Sequence, residues 1–168
     1  MRQERFTEQA QEALAASQEL VRQYHHSQWD VEHILLALLQ QQAGLVGDIL
    51  KELGVDVEVV KQQVVAALEK SPKVTYEATQ IYATPRIARL LEAAAAEADR
   101  LKDEFVGTEH LLIAMAGEQK GEGLASFTAS VSTRRRCIVP FRTFVVVIGL
   151  LTLGLRVSIA PWRNTVET

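Results

Sequence analysis

From Thr7 onward, apolar residues recur at the three-to-four spacing of an amphipathic helix. Ala10, Ala13, Leu14, Ser17, Leu20, Val21 and Tyr24 fall on one face. Thr7 is placed to cap that helix, and Glu8 puts an acid in its first turn. The polar run His25–His26–Ser27–Gln28 breaks the pattern, and His25–His26 reads as a solvated helix end. Asp30 then caps a second helix with the stripe Val31, Ile34, Leu35, Leu38 and Leu39. Gly44 and Gly47 punctuate the chain before a short third helix through Ile49, Leu50 and Leu53, which Gly54 stops. Asp56 opens a fourth helix carrying Val57, Val60, Val64, Ala67 and Leu68, and Ser71–Pro72 ends it. Residues 71–83 read as a loop. Thr84 followed by Pro85 is a cap with proline at the first helical position, leading into Ile87, Leu90, Leu91, Ala94, Ala98 and Leu101. Gly107–Thr108 opens a sixth helix bearing Leu111, Leu112 and Met115, and a polar, glycine-rich loop follows from Gly117 to Gly123.

The pattern repeats itself. At an offset of 77, Thr7 matches Thr84, Ala16 matches Ala93, Glu32–His33 matches Glu109–His110, and Leu35 and Ala37 match Leu112 and Ala114. Phe105–Val106 stands where Gln28–Trp29 stands in the first copy. Two copies of one helical unit predict packing around a shared core. The first copy has four helices and the second has two before the composition changes.

With 168 residues, 48% apolar and 23% charged, the chain can build a globular core, and an all-α fold follows from the periodicity. The net charge of −3 gives no reason to expect nucleic acid. One cysteine excludes a disulfide framework and a cysteine-based zinc site. Met1–Arg5 leads into an amphipathic segment, so no signal peptide is expected and a cytoplasmic location is.

Catalytic chemistry finds no support. No Ser–His–Asp set, paired catalytic carboxylates or Cys–His pair is discernible. No Gly-Lys-Ser/Thr phosphate loop is present, so the chain is expected neither to bind nor to hydrolyse ATP, and no cofactor is implied. His33 and His110 each follow a glutamate, and adjacent helical residues face different ways, so both read as structural groups near helix starts rather than metal ligands.

Trp29–Leu39 and Val106–Met115, with Arg5–Phe6–Thr7–Glu8 and Ser71–Pro72–Lys73–Val74, resemble the signatures of the Clp N-terminal (repeat) domain of Hsp100 chaperones, most nearly its ClpB branch. The resemblance covers residues 1–123. Asp30–Val31 departs from the Gly-Thr that members often carry there and that the second copy has at Gly107–Thr108. The resemblance implies a pseudo-two-fold repeated helical bundle: repeat one over 1–70, a linker over 71–83, and an incomplete repeat two over 84–123. It also implies a protein-binding module that recruits unfolded or aggregated segments, or adaptor proteins, to an ATP-dependent motor that this chain lacks. Thr7, Asp103 and Glu109 match the positions that the family places around its substrate groove, and they are expected to lie near one another.

Residues 124–168 differ from the rest. They hold six Arg, no Lys and one acid, Glu167, so they are net positive where the body is net negative. Thr143–Leu155 is a 13-residue run without charge, shorter than the roughly 20 residues a membrane span needs. A tail anchoring a small helical stress protein is therefore the alternative function. The favoured reading is translation out of frame. Shifted by one base, Trp162–Thr168 is compatible with L-E-K-Y-S-R-D-L, and other parts of the tail with the end of the same domain. A tail that does not supply the family's last two helices would leave the stripe through Leu90, Leu101, Leu111, Leu112 and Met115 uncovered, and residues 1–83 better ordered than 84–168.

Overall fold

The computed structural model describes residues 5–41, 44–52, 54–75 and 80–117. The glycine-rich loop from 118 and the tail lie outside these residues. Among the described residues six helices form, in the order α1 (Glu8–Gln23), α2 (Val31–Gln40), α3 (Leu45–Glu52), α4 (Val57–Lys70), α5 (Pro85–Leu101) and α6 (Thr108–Gly117). Two short strands, β1 (Gln28–Trp29) and β2 (Tyr82–Ala83), pair in parallel, with Gln28 opposite Tyr82 and Trp29 opposite Ala83.

The caps follow the sequence. Thr7 Oγ1 accepts the Ala10 N–H (3.3 Å), and the Asp56 carboxylate accepts those of Glu58 and Val59. Asp30 and His33 form a reciprocal capping box. Gly54 adopts φ 68°, the left-handed conformation that ends α3, and Val55 N–H closes back on Leu50 O. α3 begins earlier than the apolar spacing implies and runs straight through Gly47.

α2 is buried on every side from Val31 to Leu39, because it packs against α1, α3, α4, α5 and α6. A helix with neighbours all round has no solvent face, which explains why Leu36 and Ala37, off the predicted stripe, are also buried. α6 occupies the matching place in the second copy, against α1, α2, α3 and α5. Leu90, Leu111, Leu112 and Met115 are buried and Leu101 partly so; the expectation that a tail without the last two helices leaves this stripe uncovered turns on residues 124–168, which lie outside the described residues. Ser17 lies on the apolar face of α1 because its hydroxyl donates to Leu14 O (2.6 Å) and accepts from Trp29 Nε1–H (2.9 Å).

A second departure concerns the junction after α1. His25 takes φ 56° and turns the chain, which carries His26 inward rather than into solvent. His26 is 3% exposed, so the solvated helix end is confined to its neighbours. The predicted loop 71–83 likewise ends in β2.

Candidate protein-binding site

The starts of the helices are exchanged between the copies. Thr7 N–H donates to Val106 O (3.0 Å), tying the start of α1 to the turn before α6. Thr84 N–H donates to Trp29 O (3.0 Å), tying the start of α5 to the turn before α2. Both donors and both acceptors are 77 residues apart, so the internal repeat is written into the hydrogen bonds.

The three candidate residues lie on the segments that meet at the α1–α6 junction. Phe6 and Val106 form a parallel bridge, and Thr7 follows directly. Asp103 sits in the turn after α5, where Lys102 caps the helix at φ 62°. Glu109 lies in the first turn of α6. His110 joins the acids: its Nδ1 accepts Gly107 N–H (2.9 Å), so its Nε2 carries the proton and donates to Asp103 Oδ2 (3.1 Å). Glu109 Oε1 is 3.6 Å from His110 Nδ1, which has no proton to give. The Glu109 carboxylate lies over Gly107, so a β-carbon at this position would push that carboxylate aside.

Next to Thr7 in the chain, Phe6 helps line a depression of about 380 Å³ with Arg5, Glu92, Ala95, Ala96, Asp99 and Val106; the three candidates themselves are not in its lining. Phe105, two residues after Asp103, is 49% exposed. A polar rim beside exposed apolar surface can hold extended chains loosely: apolar contact gives non-directional affinity and the carboxylates steer.

The α2–α5 junction carries the counterparts. His33 repeats the role of His110 at the helix start, its Nδ1 accepting Asp30 N–H (3.1 Å). Its Nε2 faces His26 Nδ1 at 2.9 Å, where the second copy has Asp103. With Nδ1 of His33 an acceptor, its Nε2–H donates to His26, and His26 Nε2 must carry a proton. That buried Nε2 makes no well-formed hydrogen bond among the described residues, although the Leu68 backbone lies close enough to favour the protonated ring. Glu32, the counterpart of Glu109, receives two donors from Arg86, at 3.0–3.2 Å, and Arg86 also reaches Asp30 Oδ2 (3.0 Å). Burial pushes the Glu32 carboxyl up, with Arg86 pulling it back. The Thr84 hydroxyl donates to Asp30 Oδ1 (3.0 Å) and makes no cap bond of its own. The sequence does not announce this network, because its partners are far apart in the chain and nothing local marks Arg86. The offset of 77 was the one available pointer to it.

Burial lowers both histidines, His33 to about 4, with the nearby His26 adding to the fall. A folded-state value below the unfolded 6.5 means that the unfolded chain takes up the proton first. Stability is therefore undiminished above pH 6.5, falls as pH drops from there to about 4, and levels off below. The loss is on the order of 3 kcal/mol. His33→Gln keeps a capping-box side chain at this position and removes the titration, so its denaturation midpoint should change less than the parent's over that pH window. Equal slopes would show that the pair does not carry the acid sensitivity.

No group of three metal-ligating side chains is present among the described residues, and no single helix among them is long and apolar enough to cross a membrane. The membrane alternative thus finds no support here, and the tail on which it rested lies outside the described residues.

Comparison with known proteins gives a consistent result. The Clp repeat (R) N-terminal domain family matches residues 5–129. The chain is similar to the chaperone protein ClpB of Bacillus cereus, at 37% identity over 126 residues, covering 73% of this chain and 14% of that protein. The chain thus spans about one-seventh of such relatives and corresponds to their N-terminal, non-catalytic module. In structure it is similar to the Hsp104 N-terminal domain from Candida albicans, with TM-score 0.69, 19% identity, and coverage of 90% of this chain and 93% of that one. It is also similar to a ClpV N-domain solved in complex with a VipB peptide, with TM-score 0.64, 19% identity, and coverage of 84% and 89%.

Proposed function

We propose that this chain, which belongs to the Clp repeat N-terminal domain family, recruits unfolded or aggregated polypeptide segments, or the adaptors that carry them, to an Hsp100-type ATP-dependent chaperone. Thr7, Asp103 and Glu109 form the recruiting site, and the work takes place in the cytoplasm. The observation that supports the reading is the hydrogen bond from Thr7 to Val106, which joins the start of α1 to the turn that carries Asp103, exposed Phe105 and Glu109. A related N-domain held with a peptide lends support. Extended segments lie along the apolar strip while the carboxylates select for orientation and for basic side chains. ATP hydrolysis belongs to the motor that such domains serve.

Binding of a fluorescent, reduced and carboxymethylated polypeptide to the full chain, followed by anisotropy, tests this. Asp103→Asn with Glu109→Gln should weaken binding by about tenfold, equivalent to about 1.4 kcal/mol, with the melting temperature nearly unchanged. Unchanged affinity would remove these residues from the site.

A further inference from the structure

We infer that Arg86 plugs the copy-one counterpart of the recruiting site, so that this chain offers one open binding site and holds a second in a latent, self-occupied form. The inference rests on the reading of Thr7, Asp103 and Glu109 as the recruiting site, and it concerns what the internal repeat makes of the same site elsewhere.

Three residue exchanges between the copies build the difference. Position 86 is Arg and its counterpart 9 is Gln, although both are the second residue of a helix that follows a threonine cap. Position 30 is Asp and its counterpart 107 is Gly. Position 26 is His and its counterpart 103 is Asp. In copy one, Asp30 and Glu32 hold the Arg86 guanidinium from two sides, and the Glu32 side chain is only 10% exposed. In copy two, no side chain among the described residues donates a hydrogen bond to the Glu109 carboxylate, which is 30% exposed. Gln9 is exposed. Arg86 therefore does within the molecule what a basic side chain of a bound segment would do at Glu109.

The space around the plug also has the form of a site. A cavity of about 570 Å³ opens beside Arg86, lined also by His26, Asp30, Glu32, Ser71 and Pro72. His26 Nε2, buried and without a well-formed hydrogen bond, belongs to a residue of that lining, as does Leu68, whose backbone lies near the His26 ring. A buried donor that its neighbours satisfy only in part is the kind of group that a ligand acceptor can complete. The class of ligand is the same for both sites: an extended segment with an arginine or lysine beside apolar residues. At the plugged site it must first displace a bidentate, desolvated arginine.

The test uses the full chain and an unstructured synthetic peptide of alternating leucine and arginine, followed by amide chemical shifts. In the parent chain the peptide should move the signals of Asp103, Gly107 and Glu109 and leave those of Asp30, Glu32 and Thr84 in place. In Arg86→Gln both sets should move, and the stoichiometry should rise from one to two. Gln9→Arg, which keeps the fold independent of the plug, should seat a guanidinium on Glu109 and weaken binding by about tenfold or more. Movement of both sets in the parent chain, or no second set in Arg86→Gln, overturns the plug and leaves the recruiting site standing. Binding at copy one in Arg86→Gln with none at copy two in either protein supports the plug and removes the recruiting site. Undiminished binding by Gln9→Arg overturns the equivalence of the two sites, and no binding by any variant overturns both readings.

Discussion

Replacing Arg86 with leucine is expected to destabilise the chain by about 3 kcal/mol at neutral pH, the scale for breaking a buried ion pair from one side. The cause is less the lost attraction than what remains. Glu32 is 8% exposed and burial already pushes its carboxyl up, so without the guanidinium it must ionise in a poorly solvated place or hold a proton at neutral pH. Asp30 loses a partner at the same time, though it keeps the Thr84 hydroxyl and the Val31 N–H. The double variant Glu32→Gln/Arg86→Leu should recover most of the loss, because a neutral amide leaves no stranded charge. Urea unfolding of the parent, the single and the double variants checks this, with the single variant lowest. A single variant as stable as the parent would mean that the pair is solvated and contributes as little as an ordinary surface bridge.

The second large effect lies in α2. Leu35→Ala removes a fully buried side chain from the helix that touches all five others, and the loss should be about 2–5 kcal/mol. Val59, on α4 and 46% exposed, is the control, and truncation there should cost well under 1 kcal/mol. The contrast separates burial from helix propensity, since alanine is favoured in both helices. Thermal melts of the two variants provide the measurement, and comparable shifts would contradict the central position of α2.

These cases also separate what the sequence made legible from what it concealed. Helix starts were legible because a cap is a local event: Thr7, Asp30 and Asp56 each meet an N–H within a few residues. The repeat was legible because it is an identity at fixed offset. The all-round burial of α2 was not, since a stripe of Val31, Ile34, Leu35, Leu38 and Leu39 satisfies a one-sided helix just as well. β1 and β2 were hidden because two-residue strands have no periodicity, and their partners lie more than 50 residues apart in the chain. His26 was misread because a polar residue after a helix is usually solvated, and only the left-handed turn at His25 redirects it. The grouping of Thr7, Asp103 and Glu109 came from family resemblance. What chemistry could not supply in advance was the hydrogen-bond route through Val106 and His110 that joins them. The Arg86 network is the clearest omission, because an arginine on a helix surface gives no sign of the two acids it will meet from another helix.

Hydrogen exchange of the full chain, with and without the unfolded polypeptide, tests the central claim most directly. Recruitment at the α1–α6 junction predicts slower exchange on binding at residues 5–8 and 103–110, with α4 unchanged, and loss of that protection in Asp103→Asn/Glu109→Gln. Protection elsewhere with none at this junction, or protection that survives the double substitution, would contradict it.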